Sequence, residues 1–375
     1  MTNTGIMYLV NCILYINNRL KMKRFILLTG LVLIGISGFC QTKSEKQEAY
    51  NKAKQAVELM DNGNYDMSIQ LLEEATKLDP TNFIYPYEIG YALILKKKYK
   101  KATKYFEKVV KMEGSDDQSY QMLGNAYSMG GNKEKAIDAY NRGLKKYPNS
   151  GRLYLEIGNV HQDDWNKALE YYEKGVQVDP TYPSNYYWLA KIFCNSTEEI
   201  WGMFYGEMFM NIERNSKRTE EISQLLFDTY KSEIQFTSDT TKSVSFSQNN
   251  VIDITAKKPT LPYSMIYETG LMIAVSDVNS ITLKTLHKIR SQHTNFYFDQ
   301  KFNDSYPNVV FDWHKTLIQK EMFECYNYWL MMKGAPDEFD EWIGTNQEKF
   351  ESFINWFSEN PMPIDNEKSF HRLNF

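Results

Sequence analysis

The stretch "YQMLGNAYSMGGNKEKAIDAYNRGLKKYPNS", Tyr120–Ser150, decides the fold. It reads as two short helices joined at Gly130-Gly131-Asn132 and stopped at Pro148, which cannot donate into a helical ladder. Whether it stands alone or repeats is settled by spacing. Gly124 has counterparts at Gly90 and Ala56, each 34 residues apart. Each is followed 12 residues later by a second small residue, Ala136, Ala102 and Ser68. The helix-ending positions Pro80, Gly114 and Pro148 keep the same 34. A fixed period of this length marks a helical repeat.

The physical reason for the pattern is close packing. Two antiparallel helices approach closely only where small side chains meet, so Gly90 is set against Ala102 and Gly124 against Ala136. Leu93 and Phe106, or Tyr127 and Tyr140, fill the wedge around each crossing. One such pair cannot bury its apolar face alone, so the pairs stack.

These residues resemble the tetratricopeptide repeat family over about residues 49–195. Residues 117–150 match its pattern at Gly124, Tyr127, Ala136, Tyr140 and Pro148. Residues 49–82 match at Ala56, Leu59, Ser68, Leu72, Ala75 and Pro80. Residues 83–116 match at Gly90, Leu93, Ala102, Phe106 and Val109, with Gly114 in place of the proline. A fourth unit departs: Gly158 to Ala168 spans 10 residues, and His161 takes the aromatic place. A fifth first helix begins near Pro183. Its partner, "EEIWGMFYGEMFMNIE", lacks the small-residue anchor and reads as an atypical terminal helix covering the stack. The fold expected is therefore all-α: a solenoid of four repeats plus an atypical terminal unit over 45–234, followed by a small helical domain.

After Arg218 the repeat is lost. Glu220 to Ile234 reads as one more helix, and 235–260 as a polar linker with a short extended or hairpin element, from the alternation at Val244-Ser245-Phe246 and Val251–Ile254. Over 261–375 the helical period returns. Val310, Trp313, Leu317, Ile318, Met322, Cys325 and Trp329 predict one helix ended by Gly334, and Pro336 opens another. This part resembles no family and reads as four helices packed on, or following, the solenoid.

The amino terminus carries a targeting pattern. Met22-Lys23-Arg24 is basic, Phe25–Ile36 is apolar but too short to span a bilayer, and Gly38 and Cys40 are the small residues before Gln41. Residues 22–40 are thus expected to be a signal peptide and 1–21 an upstream start artefact. Cys40 also stands where a lipid-modified cysteine would, although Phe39 precedes it. The expectation is an exported bacterial protein, periplasmic, with lipid anchoring or secretion as alternatives. With the leader removed, only Cys194 and Cys325 remain, either paired or as buried free thiols.

The net charge of −4 gives no general basic surface, which argues against nucleic acid as partner. No metal-spaced Cys/His cluster, phosphate loop or nucleophile elbow occurs, so no cofactor and no catalysis are expected. His161 beside Asp163 and Asp164 fits packing and helix capping better than a metal site. Asp337, Glu338, Asp340 and Glu341 fit a helix amino terminus. The lysines at 96–98, 100, 101 and 104 fit a solvated turn and helix face, an acidic partner being the alternative.

The resemblance implies a concave groove as the working surface, with a protein or peptide partner. It selects Ile84, Tyr87, Tyr91 and Ile94, then Gln118, Gln121, Asn125 and Ser128, then Arg152, Leu155, Asn159 and Gln162. It also implies that Asn125 and Asn159 hold a peptide backbone, because an amide offers both donor and acceptor. Arg152 is the only basic residue in the last two sets, too few for a clamp on a terminal carboxylate. The alternatives are an enzyme built around His287, His293, His314 and carboxylates in 261–375, or a structural subunit of an envelope complex.

Overall fold

The computed structural model describes residues 43–238, 241–249, 261–365 and 370–374. The signal-peptide pattern, Cys40 and the alternation at 251–254 lie outside these. Four antiparallel helix pairs come first: α1 Lys43–Asp61 with α2 Tyr65–Leu78, α3 Ile84–Leu95 with α4 Tyr99–Val109, α5 Asp117–Met129 with α6 Lys133–Lys146, and α7 Gly151–Val160 with α8 Trp165–Val178. A fifth pair, α9 Pro183–Phe193 and α10 Glu199–Ile212, is followed by α11 Lys217–Glu233. Among the described residues the chain is all-α apart from one small hairpin.

The small residues do what their spacing requires. A Cβ on Gly90 would meet the Phe106 ring at 2.7 Å, and Gly124 and Gly158 are tighter still against Tyr140 and Tyr172. Each ring is buried under the glycine of the same unit. Asn132 and Asp164 cap α6 and α8 by accepting from the backbone N–H groups of Lys135 and Lys167. Successive units are tied by side chains about one period apart. Arg142 forks onto Glu107 at 3.0 and 3.1 Å, and Asn185 Nδ2 donates to the Gly151 carbonyl at 2.9 Å.

The terminal unit differs from its expected role. Helix α10 does cover the stack, but it is itself covered: every residue from Ile200 to Asn211 is buried. A helix apolar on all sides belongs inside a core. Gly202 lies against the backbone of Cys194, and Gly206 against Leu226 of α11, so it does have small residues at its crossings.

Around it pack α12 Tyr263–Ala274, α13 Leu283–Asp299, the one-turn α14 Phe302–Ser305, α15 Val309–Gln319, α16 Phe323–Met331 and α17 Pro336–Glu359. One hydrophobic core runs from Leu155 through Phe370, and a second, from Ala49 to Val160, fills the first units. Among the described residues the carboxyl-terminal part has five helices plus a single turn rather than four, and α17 is kinked at Asn346. The apolar run 310–329 is two helices, because Glu321 takes φ +59° and reverses the chain between them. The hairpin pairs β1 Ile234–Phe236 with β2 Lys242–Val244, earlier than the alternation suggested. Phe246 then turns inward: its carbonyl accepts from Ile200 N–H at 3.0 Å, and Glu268 accepts from the N–H groups of Phe246 and Ser247.

Candidate functional site

The first helices of units two to four, α3, α5 and α7, carry the residues expected to line a groove, and the structure links several of them. Gln118 Nε2 donates to the Tyr87 hydroxyl at 2.7 Å, joining unit two to unit three. Gln121 Oε1 accepts from Arg152 at 3.2 Å, while its Nε2 donates to Glu156 at 2.5 Å. Glu156 also accepts from Asn159 Nδ2 at 3.2 Å. Gln121, Arg152 and Asn159 therefore form one polar chain across units three and four, with Glu156 between them. Arg152 lies over the Tyr182 ring at 5.7 Å, and its buried Nε faces the Asp117 carboxylate at 3.8 Å, beyond hydrogen-bond distance.

The two asparagines are oriented from behind. Tyr140 donates to Asn125 Oδ1 at 2.6 Å, and Tyr172 donates to Asn159 Oδ1 at 2.9 Å. These tyrosines come from the second helices, so the ring that packs on the anchor glycine also aims the next residue's amide. Burial pushes their hydroxyls up, Tyr172 to about 12, so both stay protonated donors. Asn125 Nδ2 keeps no partner among the described residues. The equivalence of the two units is the geometric content of the repeat.

Other groove positions are placed differently. Tyr91 is half-buried on α3, and Tyr87 meets Phe106 edge to face at 5.6 Å. Ile94 is 9% exposed and Leu155 6%, both within the apolar cores, so they offer a partner little surface. Glu156, Tyr140 and Tyr172 were not singled out as groove residues from sequence. The sequence signal for the two tyrosines is the aromatic residue four places past each second-helix alanine, a position that packing alone also explains.

Two family models described as tetratricopeptide repeat match residues 53–120 and 118–150. Residues 53–150 are tetratricopeptide repeats. Human protein O-mannosyl-transferase TMTC1 is 28% identical over 124 residues, 32% of this chain and 14% of that protein. BBSome complex member BBS4 of Bos taurus is 28% identical over 126 residues, 32% and 23% respectively. The chain thus spans less than a quarter of either relative. Among solved structures, PilF of Pseudomonas aeruginosa aligns at 16% identity over 51% of this chain and 86% of its own, with a TM-score of 0.41. The two family-model matches fall on the first three helix pairs, and the fourth pair, α7 and α8, follows them with the same glycine-on-tyrosine crossing.

Residues in the fourth helix pair and beyond it account for the remaining candidates. His161 stacks on Tyr171 at 5.7 Å, Asp164 caps α8, and Asp163 instead pairs with Lys133 at 3.2 Å. No metal-ligand grouping of three occurs among the described residues. Cys194 and Cys325 are free thiols. Glu338 accepts from Leu283 N–H at 2.7 Å, at the amino end of α13.

His293 and His314 do converge, together with a carboxylate from outside 261–375. Glu207 of α10 accepts from Arg290 at 2.5 Å, from His314 Nε2 at 2.6 Å and from Tyr326 at 2.7 Å. Burial pushes the Glu207 carboxyl up, but Arg290 and His314 outweigh it and hold it down at about 2. Burial, with His314 and Arg290 adding, lowers His293 to about 3, so that imidazole is neutral. The space between these groups is about 10 Å³, the size of one water. This cluster pins α10 to α13, α15 and α16.

Proposed function

We propose that the protein is an exported scaffold that holds a peptide or protein segment on the concave face of repeats two to four. The carrying observation is the pair of asparagines, each held by a second-helix tyrosine through its carbonyl oxygen, which pre-sets the amides before any partner arrives. An extended segment would meet Asn125 and Asn159 with its backbone and Tyr91 with an apolar side chain. Arg152, held by Gln121 at 3.2 Å and partly neutralised by Asp117 at 3.8 Å, suits a polar group on the same segment. Export rests on the residue 22–40 pattern and would place the scaffold at the cell envelope.

The test is affinity enrichment of the tagged protein from its own envelope, beside an Asn125→Ala/Asn159→Ala/Tyr91→Ala variant confirmed folded by circular dichroism. The expected result is a protein captured by the wild type and lost in the variant. Equal capture by both would move the working surface to another part of the chain. Fractionation of cells tests export, and a protein confined to the cytoplasm would overturn that part.

A further inference from the structure

The turns between first and second helices lie side by side along one edge of the solenoid. Lys96 pairs with Asp66, joining the second turn to the first. A Cβ on Gly130 would lie 3.5 Å from Cβ of Tyr99, which sets the third turn against the second. Lys133 pairs with Asp163 at 3.2 Å, joining the third turn to the fourth. The edge is therefore one continuous surface, distinct from the concave face.

Two kinds of side chain stand out along it. Residues 96–111 hold eight lysines and one acidic residue, Glu107, which Arg142 already engages. Lys97, Lys98, Lys100, Lys101 and Lys104 are exposed and have no acidic partner among the described residues. Asp66 and Asp163 are engaged as above, and Asp164 caps α8, leaving Asp61 and Glu134 as the nearby counter-charges. Interleaved with the lysines are Met67 (59% exposed), Leu95 (38%), Met129 (56%) and Trp165 (52%). These are half of the eight large apolar side chains left exposed among the described residues, so the apolar surface is concentrated here.

We propose that this edge docks on an anionic lipid surface. Ammonium groups gain from headgroup charge within a Debye length, and Met, Leu and Trp reach the boundary of the acyl region. The run 96–111 contains no arginine, whose planar fork suits individual phosphates, so diffuse attraction to a charged sheet fits it better than a nucleic-acid backbone. This reading stands independently of what the groove holds.

The test is co-sedimentation of the full chain with vesicles of phosphatidylglycerol and phosphatidylcholine, against phosphatidylcholine alone, with hydrogen exchange followed on the same samples. Anionic vesicles are expected to bind the chain, to lose it as salt rises, and to slow exchange in the turn segments 62–68, 95–104, 127–135 and 161–167. Lys97→Gln/Lys98→Gln/Lys101→Gln should lower the partition by about 100-fold, at about 1 kcal/mol per lysine. Met129→Ser/Trp165→Ser should weaken it while leaving the salt dependence unchanged. Equal binding to neutral vesicles, binding unchanged in the lysine variant, or protection outside these segments would overturn the proposal. So would stronger capture by poly-uridylate that ignores Met129 and Trp165, which would make nucleic acid the ligand.

Discussion

The Tyr140 hydroxyl donates to Asn125 Oδ1 at 2.6 Å across the crossing of α5 and α6, and the same ring lies where a side chain on Gly124 would go. Packing and site orientation therefore depend on one residue. Tyr140→Phe keeps the ring and removes the bond, so stability should fall by about 1 kcal/mol. Capture of the groove's partner should weaken several-fold, and Asn125→Ala should add little in that background. Calorimetry and a binding titration check both. Additive losses would mean that the tyrosine does not act through Asn125.

Glycine substitutions should split by location. Gly124→Ala forces a methyl group into the buried Tyr140 ring and should cost about 1–3 kcal/mol. Gly344→Ala, in helix α17 with nothing within 4 Å, should instead stabilise by about 0.5–1 kcal/mol. Urea unfolding measures both, and equal signs would contradict the packing account.

The tail closes a long-range ion pair. Arg372 donates through Nε and Nη2 to the two oxygens of Glu173 at 2.7 and 2.9 Å, and the Glu173 side chain is 3% exposed. Phe370 beside it packs on Trp201, Phe204 and Tyr263. Arg372→Ala leaves that carboxylate buried and unpaired, at a cost of about 2 kcal/mol, given that Arg372 is itself partly exposed. Glu173→Leu/Arg372→Leu should recover most of the loss. A single variant as stable as the wild type would show that water replaces the guanidinium.

Acid should destabilise the chain before general carboxylate protonation. His293, near 3 in the fold against an ordinary 6.5, refuses a proton that the unfolded chain accepts. The unfolded state binds more protons between these values, so stability falls as pH drops through that window. His314, also lowered by burial, acts in the same direction, and Glu207 joins below 4.5. Between pH 7 and 5 the His293 contribution should be on the order of 1–2 kcal/mol. His293→Gln should flatten that part of the melting-temperature profile, and an unchanged slope would remove His293 from the account.

The solenoid was legible because its information is periodic: Ala56, Gly90 and Gly124 state the crossing three times at one spacing. The expected groove positions came from the family resemblance, and nothing in the sequence pointed to their partners. Glu156 is an ordinary polar residue until Gln121, 35 residues earlier, is placed against it. The break at Glu321 was invisible, because Ile318 and Met322 keep helical spacing across it and no glycine marks the positive φ. Glu207 could not be joined to His314 from sequence, since 107 residues separate them and no repeat relates them.

The full enclosure of α10 also sets where such a chain can lengthen. A further 34-residue unit could be inserted by duplication within units one to three, which share a core built at one spacing. Beyond unit four it could not, because α8 shares the core of α9 and α10, and Glu173 holds the tail. Any variation in repeat number among chains of this build should therefore accumulate ahead of residue 151, leaving everything after it constant in length.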